Sequence, residues 1–248
     1  MMSDKPNLHT KAIEYDQGGT SLRGYFAYDR NMSGARPAVL VFPEWWGVND
    51  YIKQRTEMLA ELGYAALATD MYGGGQLAAN ADEAAGMMNA VLNDMETGTE
   101  RIRAAYQCLT DQPQADPSRL AAIGYCFGGA MALHAARIGM KLRGVVSFHG
   151  ALGSFHKPTR GEVKAKILVC HGAEDAMVSD KDVTALRQEM TDAGVDFNVI
   201  IYKGAMHGFT SREASLNGKK YGLPIGYDAE ADAGSWREMQ SFLNEVFI

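Results

Sequence analysis

The stretch "RLAAIGYCFGGAMALHAA", residues 119–136, places a cysteine where the pattern turns from strand to helix. Leu120 to Ile123 form a short apolar run, preceded by the turn-like "DPS" at 116–118 and bounded by Gly124, which reads as a buried strand. From Phe127 onward apolar residues recur at near-helical spacing, so Cys126 stands at the turn itself. A strand that reverses into a helix within two residues needs glycines around its tip, because only they let backbone segments approach without a Cβ clash. Gly124 and Gly128 supply them, giving G-x-C-x-G, the nucleophile-elbow pattern with cysteine in the serine position. Such an elbow lifts the side chain clear of the sheet and aims a helix N-terminus at it, where unpaired N–H groups favour a thiolate and can hold an oxyanion. The competing reading is a small buried cysteine, a common core residue. A dinucleotide-binding loop is not expected. G-x-G-x-x-G needs glycine where Cys126 stands, and the next apolar strand ends in "SFHG" without a ribose-binding acid.

Outward from this stretch, "AIEYDQGGTSLRGYFAYD" (12–29) alternates in polarity around a Gly-Gly pair, the signature of a hairpin. "RPAVLVFPE" (36–44) and "GYAALATDMY" (63–72) are apolar strands with a helical pattern at 51–62 between them, a βαβ unit. Residues 78–108 read as one or two helices, and "LRGVVSFHG", "AKILVCHG" and "DFNVIIYKG" as further strands, with helical patterns at 180–193 and 233–246. Fully apolar strands alternating with helices predict an α/β fold with a mostly parallel central sheet and helices on both faces, where ligands bind beyond the carboxyl ends of the strands. A single domain over 1–248 is expected. "GGGQLAANADEAAG" (73–86) is either a flexible cover over a site or a surface loop running into an Ala-rich helix.

With 46% hydrophobic residues the chain has the composition of a globular protein, and a formal net charge of −6 argues against nucleic acid and membrane partners. The start "MMSDKPNLHTKA" lacks the basic and apolar segments of a leader, and no apolar run approaches the ~20 residues of a membrane span. A cytoplasmic location is expected, in keeping with three unpatterned cysteines, Cys108, Cys126 and Cys170. Six histidines invite a metal, but neither H-E-x-x-H nor C-x-x-C occurs, so no metal and no cofactor is expected. A monomer or small homo-oligomer fits these properties.

If Cys126 is a nucleophile, a base and an orienting acid should lie beyond later strands. "AKILVCHGAED" carries Asp175 past one strand end, and "FNVIIYKGAMHGF" carries His207 past the next. The order nucleophile, acid, histidine is that of the α/β-hydrolase fold, in which His207 would take the thiol proton and Asp175 would hold its tautomer. Glu174 is a rival for the acid. His171 tempts as a base, but it precedes the acid and is expected to pack or hydrogen-bond within the turn.

"PEWWGVND" from Pro43, "GYCFGG" from Gly124, "HGAED" from His171, "MHGF" from Met206 and "GYDAEADAGSW" from Gly226 together resemble the dienelactone hydrolase family of α/β-hydrolases over essentially the whole chain. The resemblance implies a Cys126–Asp175–His207 triad acting on a small-molecule ester or lactone, with Glu44 contacting the resting thiol and the Trp45 and Phe127 amides forming the oxyanion hole. A carboxylate beside the sulfur would oppose thiolate formation and so limit oxidation. The chain departs from the pattern at the substrate. Family members that cleave dienelactone hold its carboxylate with arginines, one after an aspartate-tyrosine pair and one beyond the catalytic histidine. Here the first loop reads "DMYGGGQ", and Arg212 lies near the second position. Arg212, Trp46 and Tyr72 are the residues expected at the substrate. The alternatives are a thioesterase or broad carboxylesterase on the same triad, or a non-catalytic redox-sensing or ligand-binding thiol protein.

Overall fold

The computed structural model describes residues 5–248, so the first four residues of the N-terminal stretch read for a leader lie outside the described residues. It is an α/β fold with one eight-stranded, mostly parallel sheet of order β1-β2-β4-β3-β5-β6-β7-β8, numbered along the chain. The chain divides into two compact units, 1–121 and 122–248, with the boundary inside strand β5.

The first unit opens with the expected hairpin, β1 (Leu8–Gln17) antiparallel to β2 (Thr20–Asp29). Gly18 and Gly19 turn it with φ of 58° and 86°, a conformation two successive L side chains would resist. The βαβ unit follows as β3 (Arg36–Phe42), α1 (Asp50–Glu61) and β4 (Ala65–Ala68), with β3 and β4 parallel. Asn49 starts α1 by accepting the Ile52 amide at 3.1 Å. Residues 78–108 resolve into two helices, α2 (Ala81–Asn93) and α3 (Met95–Thr110).

The glycine-rich stretch at 73–75 is a pinned turn rather than a loose cover. Both Asp70 carboxylate oxygens accept backbone amides, Oδ1 from Tyr72 and Gly73 (2.8 and 2.9 Å) and Oδ2 from Arg23 and Gly75 (2.9 and 2.7 Å). A charged acceptor saturated by four amides is among the stronger local anchors a loop can have. Asn80 then caps α2, and Glu83 returns a bond from the Ala79 amide, so the Ala-rich part of 73–86 is helix.

Strand β5 spans Ala115–Tyr125, longer than the apolar run at 120–123 suggests. "DPS" lies within it: Asp116 accepts both the Ser118 amide and hydroxyl, at 2.9 and 2.7 Å, so the turn chemistry is satisfied locally without ending the strand. The second unit continues with α4 (Phe127–Arg137), β6 (Gly144–Phe148), β7 (Lys166–Gly172), α5 (Asp180–Ala193) and β8 (Phe197–Tyr202), with β6, β7 and β8 parallel. Helix α4 is buried along its whole length, and its last residue, Arg137, is fully enclosed. That charge is matched: its guanidinium donates to both Glu189 oxygens at 2.9 Å and to the Leu152 and Gly153 carbonyls, tying the helix to α5 and to the chain beyond β6. Two further elements differ from the sequence reading. A short helix α6 (Ala214–Tyr221), with a glycine inside and a weak apolar pattern, gave no periodic signal. The final helix α7 (Ala229–Val246) begins four residues earlier than expected, because Asp228 accepts the Glu230 and Ala231 amides as its cap.

Candidate active site

Parallel strands bring their carboxyl ends to one edge, and in the second unit β5, β6, β7 and β8 all deliver polar residues there. Cys126 follows β5 directly and caps α4 with φ 54° and ψ −117°, a conformation unusual for any residue with a Cβ. The surroundings enforce it. A Cβ at Gly124 would sit 2.0 Å from the Gly128 carbonyl oxygen, and one at Gly129 would sit 2.7 Å from Gly150 Cα, so strand, turn and helix pack backbone to backbone. The Cys126 N–H donates to the Phe148 carbonyl at 3.1 Å, and its own carbonyl accepts from Gly129 and Ala130. Cys126 is partly exposed, whereas Cys108 and Cys170 are buried. Phe127 opens α4, where an amide has no intrahelical acceptor.

His207 lies in the turn after β8, with Nε2 3.1 Å from Cys126 Sγ and Nδ1 2.8 Å from Asp175 Oδ2. Asp175 is itself fixed, since its Oδ1 accepts the Met177 and Val178 amides at 2.8 and 3.0 Å. An ionised carboxylate only accepts, so Nδ1 carries a proton and Nε2 is the nitrogen that exchanges one with the sulfur. Burial disfavours the charged ring of His207, but the Cys126 sulfur and the hydrogen-bonded Asp175 outweigh it and push its pKa up to about 10. Burial acts against the Asp175 anion too, yet the His207 bond and charge and the two amides hold its pKa below the usual carboxylate value. Glu174, the rival acid, is exposed in the same turn. His171 is buried as expected, but its Nδ1 has no hydrogen-bond partner among the described residues.

A pH dependence follows. Raised from 6.5 to about 10, the His207 pKa means that the charged ring's contribution to stability is complete below pH 6.5 and is lost as pH rises toward 10. Cys126→Ser removes the sulfur whose interaction with the ring raises that pKa. The His207 pKa, followed by ring-proton NMR, is then expected to fall, and the decline in melting temperature above pH 6.5 to be smaller and to end at lower pH. Superimposed titrations of variant and parent would show that the sulfur does not set the histidine's charge.

The remaining expected residues stand as follows. Glu44, Trp45 and Trp46 follow β3 in the first unit, with Glu44 buried and both tryptophans partly exposed and edge to face at 5.2 Å. The Tyr72 hydroxyl donates to the Trp45 carbonyl at 2.9 Å, so these two expected residues do meet. Arg212 is exposed, between the His207 turn and α6. Sequence reasoning passed over His149. It follows β6 directly, is fully buried, and has its ring 5.3 Å from that of His207. Its signal was positional, a polar residue at the carboxyl end of a buried strand, as for the other three. Among the described residues no cluster could hold a metal ion, and no helix is long and apolar enough to cross a membrane.

Comparison with known proteins adds to this geometry. Residues 22–247 match the model of the dienelactone hydrolase family. A protein of Aquifex aeolicus named as a carboxymethylenebutenolidase is 28% identical over 93% of this chain and 96% of its own. A dienelactone hydrolase-like promiscuous phosphotriesterase from metagenomic libraries superposes with a TM-score of 0.90 at 38% identity, covering 97% of this chain and 99% of its own. A structure named m3DLH gives a TM-score of 0.91 at 36% identity, with 97% and 99% covered.

Proposed function

Because this chain belongs to the dienelactone hydrolase family and is an ester or lactone hydrolase, we propose that it works through Cys126, His207 and Asp175 as nucleophile, base and orienting acid. The observation that carries the reading is the unbroken chain Sγ–Nε2–Nδ1–Oδ2, at 3.1 and 2.8 Å. His207 takes the thiol proton as the sulfur attacks the carbonyl carbon, and the developing oxyanion is held by the Phe127 amide. The carbon–oxygen bond then breaks, and the leaving alkoxide receives the proton from His207. Water, deprotonated in turn by His207, attacks the thioester, releasing the acid and restoring the thiol. Asp175 keeps the ring in the tautomer that both half-reactions need.

The second oxyanion donor, Trp45, and the guarding carboxylate, Glu44, rest on the sequence motif. Glu44→Gln is expected to hasten peroxide inactivation of the resting enzyme, and an unchanged rate would count against a guarding role. The reading as a whole is tested by mass spectrometry of the enzyme quenched during turnover of an aryl ester. An acyl adduct on the peptide carrying Cys126 supports it, and an adduct elsewhere overturns it.

The substrate class follows from the missing arginine in the turn at 73–75. One charged hydrogen bond contributes about 1.5–3 kcal/mol, so its loss lowers kcat/KM for an anionic lactone by about ten- to a hundred-fold. Neutral aryl esters, neutral lactones and a neutral phosphate triester, the last suggested by the phosphotriesterase relative, are the preferred substrates. Arg212→Ala is expected to weaken only the anionic lactone. Kinetics that favour the anion over the neutral panel, and keep that preference in Arg212→Ala, would give the role to another cation.

A further inference from the structure

The chain Cys126–His207–Asp175 leaves unused a buried histidine that touches its central member. His149 stands with its ring tilted 67° to that of His207 at 5.3 Å, within the range of edge-to-face packing. Three further contacts fix it. Its Nε2 is 2.6 Å from the Thr210 hydroxyl, its ring lies edge to face on Phe209 at 5.1 Å, and its N–H donates to the Cys170 carbonyl at 2.8 Å. Thr210 and Phe209 belong to the same turn as His207, so His149 grips the base's own loop. The residue before it, Phe148, accepts the Cys126 amide, and Cys170 lies on β7, the strand that leads to Asp175. One dipeptide thus bonds to the elements carrying the nucleophile and the acid, while its side chain bears on the base.

His149 also has φ 39°, one of two non-glycine residues among those described with positive φ, the other being Cys126. Such strain persists where the surroundings over-determine the conformation. We propose that His149 is a positioning residue, whose ring, held by Thr210, sets the orientation from which His207 reaches the Cys126 sulfur. This inference rests on the triad reading. The hydrogen bond to Asp175 fixes one end of the His207 ring but still permits it to tilt, and a rigid edge against the ring limits that tilt. Misplacing a reacting group by about 1 Å can lower a rate about a hundred-fold, so the contact matters kinetically without touching substrate. The titratable groups around His207 are Cys126, Asp175, His149 and His171, whose own pKa is lowered by burial and by the charge of His207.

The test compares two substitutions with aryl-ester kinetics and the pH profile of kcat/KM. His149→Asn removes the ring but tolerates positive φ, and His149→Phe keeps a ring edge while giving up the bond to Thr210. His149→Asn is expected to lower kcat about ten- to a hundred-fold, with KM changed less than about two-fold and the acid limb of the profile displaced. His149→Phe is expected to recover part of the lost kcat and to stay below the parent, because the bond to Thr210 is gone. Parental kcat and pH profile in His149→Asn would overturn the proposal, as would a His149→Phe enzyme equally slow at the parental melting temperature. Should His149→Asn fail to fold, Thr210→Val loosens the same ring, and an unchanged kcat there would also overturn it. Full activity in Cys126→Ala would sink the triad reading, whereas an inactive Cys126→Ala beside an unaffected His149→Asn would sink only this inference.

Discussion

Cys126→Ala is expected to lower kcat for an aryl ester by about 10⁴–10⁶-fold, the range found when a nucleophile is removed from an otherwise intact hydrolase site. The loss is large because no other group in the second unit can replace the attacking atom. Oxyanion donors and bound water alone would leave only a small residual rate. The fold should survive. The elbow is held by backbone packing of Gly124 on Gly128 and of Gly129 on Gly150, and by the Cys126 amide on Phe148, none of which involves the sulfur. The other two cysteines provide the control. Burial pushes the thiol of Cys108 up to about 11 and that of Cys170 up to about 12, so neither offers thiolate near neutral pH. Cys108→Ala and Cys170→Ala should therefore keep parental kcat, and iodoacetamide should inactivate both at the parental rate. Inactivation that follows alkylation of Cys108 would place the chemistry elsewhere.

Asp175→Asn is expected to lower kcat by about 10⁴-fold with a much smaller change in KM. The side chain keeps its shape, and its oxygen can still accept the Met177 and Val178 amides that Oδ1 accepts in the parent. What changes is the group facing His207. An amide nitrogen donates, so it favours the ring tautomer with the proton on Nε2, and that ring can no longer take a proton from Cys126. Loss of the carboxylate also removes one of the two influences that raise the His207 pKa, so the variant's histidine should titrate lower. Glu174→Gln is the matched control. Its side chain is exposed in the same turn, and its kcat should stay within about two-fold of the parent, as for surface changes generally. A severe loss in Glu174→Gln with a mild one in Asp175→Asn would exchange their roles.

Much of this was legible in the sequence because it depends on local chemistry. An apolar strand running into G-x-C-x-G can be built only as a tight elbow, since any Cβ at Gly124 collides with backbone. Buried parallel strands read as unbroken apolar runs, and the turns that follow them carry the polar residues, so Cys126, Asp175 and His207 could be named from their positions after strands. Chain order added the rest of that assignment. The elements misread were those whose signal is weak or displaced. Helix α6 contains a glycine and has little periodicity, and β5 and α7 extend past their apolar cores because the side chains of Asp116 and Asp228 satisfy backbone amides at their starts.

Sequence by itself thus determined the fold class and the elbow and pointed to Cys126, Asp175 and His207 as the candidates for nucleophile, acid and base, with Glu174 as a rival acid, because these follow from periodicity, glycine sterics and strand order. Only the tertiary structure shows which of Asp175 and Glu174, adjacent in the chain and alike in chemistry, bonds to His207. The turn after β7 buries one against His207 and points the other to solvent. Only the tertiary structure, too, brought out His149, which is 58 residues from His207 in the chain and reaches it because β6, β7 and β8 run parallel and end at the same edge. Contacts of that kind depend on register and packing between distant segments, which residue patterns along the chain do not encode.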